Sequence, residues 1–403
     1  MTNSARLCLL VSAMMAAVSA PAWAAPPVLT ATVIQTGLSR PWDVAFLPDG
    51  RMLVSERRGN ILIFQSPDPG ASLLATIPLE GVHAESEAGA MGIAIDPGFA
   101  TNGFLYLCIS RDDELEWRNQ VLRYVVSENT LTFDSFVIRR GILASFNHNG
   151  CRVRFGPDGK LWVTSGDASD PPSAQNPNSL NGKVLRVNPD GTVPDDNPIL
   201  PGAISPTAAY TMGHRNPQGI AFDPFTRLGF SMEHAHHRIS ETAEEHDTIN
   251  VLRAAANYGW PEVAGSGSGF DQPAWGSGVD RRLAISGGAF VSGGAWGEWS
   301  GHLFAAALAG QRLLHFGVDG ETVTELPTLY EGAWGRLRSP VLGPDGSLYL
   351  TTDIGDGQDL IIRITPAGPE GSAPVRVNAV APVHRYSYAA VRWRPSDSRN
   401  SIS

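Results

Sequence analysis

Lysine is almost missing from this chain. Only Lys160 and Lys183 occur, so arginine carries nearly all the positive charge. Neither lysine has an apolar pocket context, which argues against Schiff-base chemistry. A basic run is also lacking, and the formal net charge is −10. Nucleic acid and anionic membrane surfaces are therefore poor partners. Cysteine is scarce, with Cys8, Cys108 and Cys151 alone. Cys8 falls in an N-terminal leader: Arg6, an apolar stretch from Leu7 to Val18, and the small-x-small site Ala22-Trp23-Ala24. Residues 1–24 thus read as a secretory signal, and the mature chain as periplasmic or secreted. Cys108 and Cys151 lie in expected strands; two buried thiols are the commoner outcome there, with a disulfide open to them in an oxidising compartment. No later apolar run approaches membrane-spanning length. Long helical periodicities are absent too, whereas glycine (43) and proline (30) abound. Together these mark a turn-rich, all-β chain.

A repeated unit fills most of the length. Phe46-Leu-Pro-Asp-Gly50, Ile95-Asp-Pro-Gly98, Phe155-Gly-Pro-Asp-Gly159, Phe222-Asp-Pro224 and Leu342-Gly-Pro-Asp-Gly346 each lead into an alternating or apolar strand. Gly301 to Leu308 is a further strand of this kind with a degenerate turn. Third strands follow at Ile61–Phe64, Val184–Val187 and Leu360–Ile364. Six strand–turn–strand units fit a radial array of small sheets, a six-bladed β-propeller over residues 30–366. From Ala367 to Ser403 the pattern stops, and the Pro-, Ser-, Ala- and Arg-rich segment reads as a disordered or loosely attached tail. In a propeller, loops at one end converge on the central channel, so residues far apart in sequence can meet there.

The segment Phe146 to Asp167 carries the most specific chemistry. His148 sits where a loop flanked by Asn147, Asn149 and Gly150 enters a strand. A Pro-Asp-Gly hairpin then returns the chain to Asp167, which places a carboxylate near the imidazole. Such a pair makes a directional general base, although a histidine in this setting is more often a loop hydrogen-bonder. Gly213-His-Arg-Asn-Pro-Gln-Gly219 is a second polar loop, whose Asn-Pro turn is expected to aim Arg215 and Asn216 outward. Arg336 and Arg338, at i and i+2, share one face of an extended segment. With Arg215 they would make a cationic channel mouth suited to a carboxylated or phosphorylated ligand. Arg57-Arg58 and Arg281-Arg282 read instead as surface ion pairs. Glu233-His-Ala-His-His-Arg238 and the acidic run to Asp247 fit no closed zinc pattern. Oxygen ligation of calcium is the better reading.

Taken in order, several segments resemble one family. They are Leu38-Ser-Arg-Pro-Trp-Asp-Val-Ala45, Ser55-Glu-Arg-Arg-Gly-Asn60, the His148 hairpin, Leu180-Asn-Gly-Lys-Val-Leu-Arg186, the Gly213 loop and Asn257-Tyr-Gly-Trp-Pro261. The family is that of the soluble quinoprotein sugar dehydrogenases, the glucose/sorbosone dehydrogenases. The resemblance implies oxidation of an aldose at C1 to its lactone, with pyrroloquinoline quinone (PQQ) and calcium as cofactors and an external electron acceptor. By motif position, His148 would be the base and Asp167 its orienting group. Arg215 and Asn216 would contact the quinone, Arg215 stabilising the reduced oxyanion. Arg336 and Arg338 would hold the cofactor's carboxylates, and backbone carbonyls at Ala235 and His236 would bind calcium. The chain departs from the pattern in three places. Glu87-Ala-Gly-Ala-Met91 replaces a common Gln-Gly-Gly-Leu-Leu and sets Glu87 beside the cofactor. Ala309 replaces a frequent lysine, leaving Arg312 to reach in. Glu233-His-Ala-His replaces Glu-His-Gly-Pro in the metal loop. Two other classes stay open: a non-catalytic binding propeller that has lost quinone affinity, and a calcium-dependent lactonase-like hydrolase, which would need a carboxylate-lined channel.

Overall fold

The computed structural model describes residues 26–113, 116–234, 247–263, 267–278 and 281–367. The expected signal segment, the tail beyond Ala367, and Ala235 and His236 lie outside the described residues.

Six four-stranded antiparallel sheets form a propeller. Their innermost strands are Pro41–Phe46, Ala90–Ile95, Gly150–Phe155, Pro217–Phe222, Ile285–Phe290 and Leu337–Leu342, for blades one to six. Each repeated turn lies between the first and second strands of its blade. The turns carry their own chemistry: Asp49, Asp158 and Asp345 each accept a hydrogen bond from the backbone N–H two residues on, at 3.0–3.1 Å. The glycine that closes each of these three turns, such as Gly159 at φ +70°, takes up the left-handed backbone. The expected degenerate unit is blade five, where Leu303–Ala307 is the second strand.

The ring closes with strand Val28–Leu38, which pairs with Asp359–Ala367 as the outer strand of blade six. The first and last described strands thus share one sheet, leaving no blade to open at the seam. Between blades the core is apolar. A separate buried cluster fills each of the six interfaces, for example Ile285, Leu303 and Phe316 against Phe230, Met232 and Ile249. Among the described residues no helix is long and apolar enough to cross a membrane.

One correction concerns the cysteines. Cys108, in the second strand of blade two, and Cys151, in the innermost strand of blade three, form a disulfide with Cα atoms 5.6 Å apart. Both belong to the cluster that fills this interface. Blade packing brings the two strands face to face, a relation that strand periodicity alone does not encode.

Every innermost strand carries a register shift within its first residues. Bulges re-aim side chains out of the ladder, and here they aim polar groups at the axis. Arg152 donates from Nε to the carbonyl of Gln218 and from Nη2 to Ser339 Oγ, pairs with Asp43 at 2.9 Å, and lies over the Trp42 ring. Gln218 Oε1 accepts from Ser286 Oγ and Arg338 Nη1. One buried guanidinium therefore ties blades one, three, four and six together beneath the channel mouth. Burial pulls Arg152 down to about 9, against the attraction of Asp43.

Candidate active site

The site forms where the loops preceding the innermost strands meet the ends of the second strands. A recurring device builds it. In four blades a carboxylate at the end of the second strand anchors the loop that leads into the first or, in blade six, the start of that first strand. Glu56 accepts from Ser39 N at 2.7 Å, and Asp167 binds His148 Nδ1 at 2.8 Å. Glu233 binds His214 Nδ1 at 2.9 Å and also accepts from Arg215 N. Asp353 binds Arg338 and Arg40.

His148 and Asp167 meet as the hairpin implied. Asp167 is fully buried, and both its oxygens act as acceptors: Oδ1 from Ser169 N at 2.8 Å, Oδ2 from Trp260 Nε1 at 2.9 Å. His148 Nδ1 is thus the donor of the third bond, which leaves Nε2 with its lone pair. The His148 side chain retains 18% exposure, enough to be reached. Gly166 allows the two loops to touch, since a Cβ there would lie 2.0 Å from the carbonyl oxygen of His148. Arg215 and Asn216 turn inward, contrary to expectation, and both are buried. The Asn-Pro turn feeds them toward the axis because the next strand is the innermost of its blade. Arg215 donates to the carbonyl of His234 at 3.3 Å and lies over the ring of Trp260. Its own carbonyl accepts from Asp167 N at 2.8 Å.

Glu87 does not sit as a loose charge. Its Oε2 accepts from His148 N at 2.8 Å and from Asn216 Nδ2 at 3.2 Å, while Asn216 Oδ1 accepts from Gly150 N. Glu87 and Asn216 therefore brace the His148 loop from blades two and four.

Arg338 is buried and its guanidinium is held by Asp353, with Nε at 2.8 Å. Arg40 reaches the same carboxylate at 3.0 Å and Arg57 at 3.8 Å, and the backbone carbonyl of Arg336 accepts from Asp353 N. The anion expected between the arginines is thus partly the protein's own. Arg57 was expected at the surface with Arg58. Arg58 is exposed against Asp356, but Arg57 turns into the mouth. Burial, reinforced by the neighbouring charge of Arg338, pushes Arg57 down to about 10. The arginines nevertheless hold Asp353 well below the usual carboxylate range despite its burial. Arg281 does pair with a carboxylate, that of Glu325. Arg312, at the same end of blade five, pairs with Glu331 at 2.6 Å.

Sequence reasoning missed Arg40, Arg57, Asp353 and Trp260. A signal existed: aligning the blades puts Arg40 just before its innermost strand, as Arg215 and Arg336 stand before theirs. The described ends of the segment expected to bind metal meet, with His234 Nδ1 on Asp247 Oδ1 at 3.1 Å. Among the described residues no three metal-binding side chains cluster. Beside Asp167 opens a cleft of about 580 Å³, lined by Trp117, Ser145, Asp170, Asn176 and Asn181 among others.

The family model for glucose/sorbosone dehydrogenases matches residues 38–363. The chain belongs to that family. Within it, the aldose sugar dehydrogenase YliI of Escherichia coli K12 is 30% identical over 363 residues, 85% of this chain and 95% of that protein. Quinoprotein glucose dehydrogenase B of Acinetobacter calcoaceticus is 32% identical over 260 residues, 58% of this chain and 52% of that protein. Among solved structures, the PQQ-bound aldose sugar dehydrogenase of Streptomyces coelicolor is similar with a TM-score of 0.70 and 31% identity, over 85% of this chain and 99% of that one.

Proposed function

We propose that this member of the glucose/sorbosone dehydrogenase family is an exported quinoprotein that oxidises the C1 hydroxyl of aldoses to lactones and passes the electrons to an external acceptor. The observation that carries the reading is a His148–Asp167 pair beside an arginine-rich mouth in a net acidic protein. Arg40, Arg57 and Arg338 converge on the single carboxylate of Asp353, with Arg336 adjacent. Three guanidinium groups thus share one carboxylate, and the Arg338 charge adds to burial, the chief cause, in lowering Arg57. Such an excess fits a tricarboxylate such as PQQ, with Arg336 and Arg338 toward its carboxylates and Arg215 and Asn216 toward its quinone edge. When bound, PQQ would supply the hydride acceptor that no side chain provides.

The protein's own part is proton transfer and positioning. His148 Nε2 takes the C1 hydroxyl proton, and Asp167 holds Nδ1–H and stabilises the imidazolium that results. Trp260 and Ser169 fix Asp167, so the base keeps one tautomer. The cleft at Trp117 offers the sugar an aromatic wall among hydroxyl, amide and carboxylate groups. Calcium belongs to the same reading, with its proposed ligands, the carbonyls of Ala235 and His236, outside the described residues. A lactonase-like hydrolase is disfavoured because the carboxylates at the mouth are each engaged by protein donors, and among the described residues no three of them gather at one point. The test is dye reduction by the purified mature protein with calcium, with and without PQQ, over a panel of aldoses. PQQ-dependent activity is expected; absence of both activity and PQQ binding would overturn the proposal.

A further inference from the structure

The backbone that presents His148 is one that side chains disfavour. His148 has φ +61°, Gly150 +62° and Cys151 +69°. Two of these three residues carry a Cβ, and left-handed residues of that kind persist only where surroundings over-determine them. Polar restraints reach the first part of the segment. Glu87 holds His148 N, Asn216 holds Gly150 N, and Asn119 Nδ2 donates to the carbonyl and side-chain oxygens of Asn149 at 3.2 and 3.1 Å. Beyond Gly150 the ladder is interrupted. Pairing jumps from Gly150↔Ser165 to Val153↔Val163, so Cys151 and Arg152 form the bulge.

The bulge is gripped from blade two. Gly92 approaches so closely that a Cβ on it would meet the Cys151 carbonyl oxygen at 2.5 Å. Cys108, locked in its own ladder opposite Val121, is bonded to Cys151 through the disulfide. A covalent tether thus crosses a seam otherwise joined by packed side chains and hydrogen bonds such as Asn119 to Asn149, and it ends three residues from His148. A one-residue slip at the bulge would turn its neighbours to the opposite face. Arg152 would leave the axis and His148 would leave Asp167.

We propose that the Cys108–Cys151 disulfide is a positioning element of the active site, holding the bulge from which His148 is presented to Asp167. This rests on the proposed role of His148 as base. The staple sets turnover as well as stability, because it is attached to the left-handed, bulged segment that presents His148.

The test is Cys108→Ala/Cys151→Ala, which leaves neither thiol unpaired. Two readouts are taken: kcat and KM of the PQQ-loaded protein, and the low-field proton NMR signal of His148 Nδ1–H in the protein without cofactor. The signal is assigned by its loss in His148→Ala. A fall in kcat of at least tenfold with KM within twofold, together with loss or broadening of the Nδ1 proton, is expected. A variant that melts earlier but keeps the parent's kcat and Nδ1 signal would overturn the inference and leave the disulfide a simple staple. Should the double variant fail to fold, parent protein reduced with a phosphine and checked by thiol alkylation gives the same two readouts. If the parent itself lacks PQQ-dependent turnover, the proposed function fails, and the Nδ1 signal alone decides this point.

Discussion

Asp167→Asn preserves shape while removing one acceptor, and the structure allows its effect to be worked out. The carboxylate accepts from His148 Nδ1 and Ser169 N at Oδ1 and from Trp260 Nε1 at Oδ2. An amide has one oxygen, so one donor must face an NH2 group. If the oxygen stays toward His148, Trp260 Nε1 loses its partner in a fully buried site. If the amide flips, Ser169 N is orphaned and NH2 faces Nδ1. Nδ1 then becomes an acceptor, and the imidazole proton moves to Nε2, the atom needed as base. Either orientation costs roughly 1–3 kcal/mol of stability for the buried unpaired donor. Either also removes the negative charge that stabilises an imidazolium. General-base catalysis contributes about 10²–10⁴-fold, so kcat should fall by that order, about 2.7–5.4 kcal/mol at 1.36 kcal/mol per decade. The assay is steady-state dye reduction by variant and parent, each loaded with PQQ, alongside thermal unfolding. A folded, PQQ-loaded Asp167→Asn protein within threefold of the parent's kcat would refute the dyad.

Three further outcomes follow from the structure. Arg152→Met should lower unfolding free energy by about 3 kcal/mol, since it removes buried contacts to blades one, four and six, although Asp43 keeps Arg154; urea unfolding that shows a loss under 1 kcal/mol would count against the axial tie. His315 is hydrogen-bonded to His302 at 2.7 Å, and burial, with the nearby His302, pushes it down to about 4. Its folded value is depressed, so the unfolded chain binds more protons between pH 6.5 and 4. Stability should therefore fall as pH drops through that window, by about 3 kcal/mol at most, and denaturation curves for His315→Leu should lack that component. Arg336→Ala should weaken PQQ binding about 10–100-fold, the worth of one charge-assisted hydrogen bond; an unchanged titration curve would remove Arg336 from the cofactor set.

What was legible in the sequence is what local chemistry determines. The Asp-Gly turns carry their own hydrogen bonds, as Asp158 does to Lys160 N, so their repetition exposed the blades. The His148–Asp167 contact followed because a hairpin's two ends are tied by its turn. Ring-wide relations were not legible. Arg57 and Arg58 are adjacent and alike, yet only the sheet's place around the axis decides that one meets Asp353 and the other Asp356. Arg40 meets Asp353 across 313 residues, and Cys108 meets Cys151 across 43. The structure adds one ring-wide regularity, a carboxylate at or just past the end of the second strand, at Glu56, Asp167, Glu233 and Asp353. A buried carboxylate there needs donors, and some of them come from the residues at the entrance to the innermost strand of the same blade, as with His148 on Asp167, Arg215 N on Glu233 and Arg338 on Asp353. That requirement forces His148, Arg215 and Arg338 to the same end of the ring. The polar mouth is therefore a consequence of how four blades satisfy buried charge, and blade five, whose second strand ends at Ala307, contributes the partly exposed Arg312 instead.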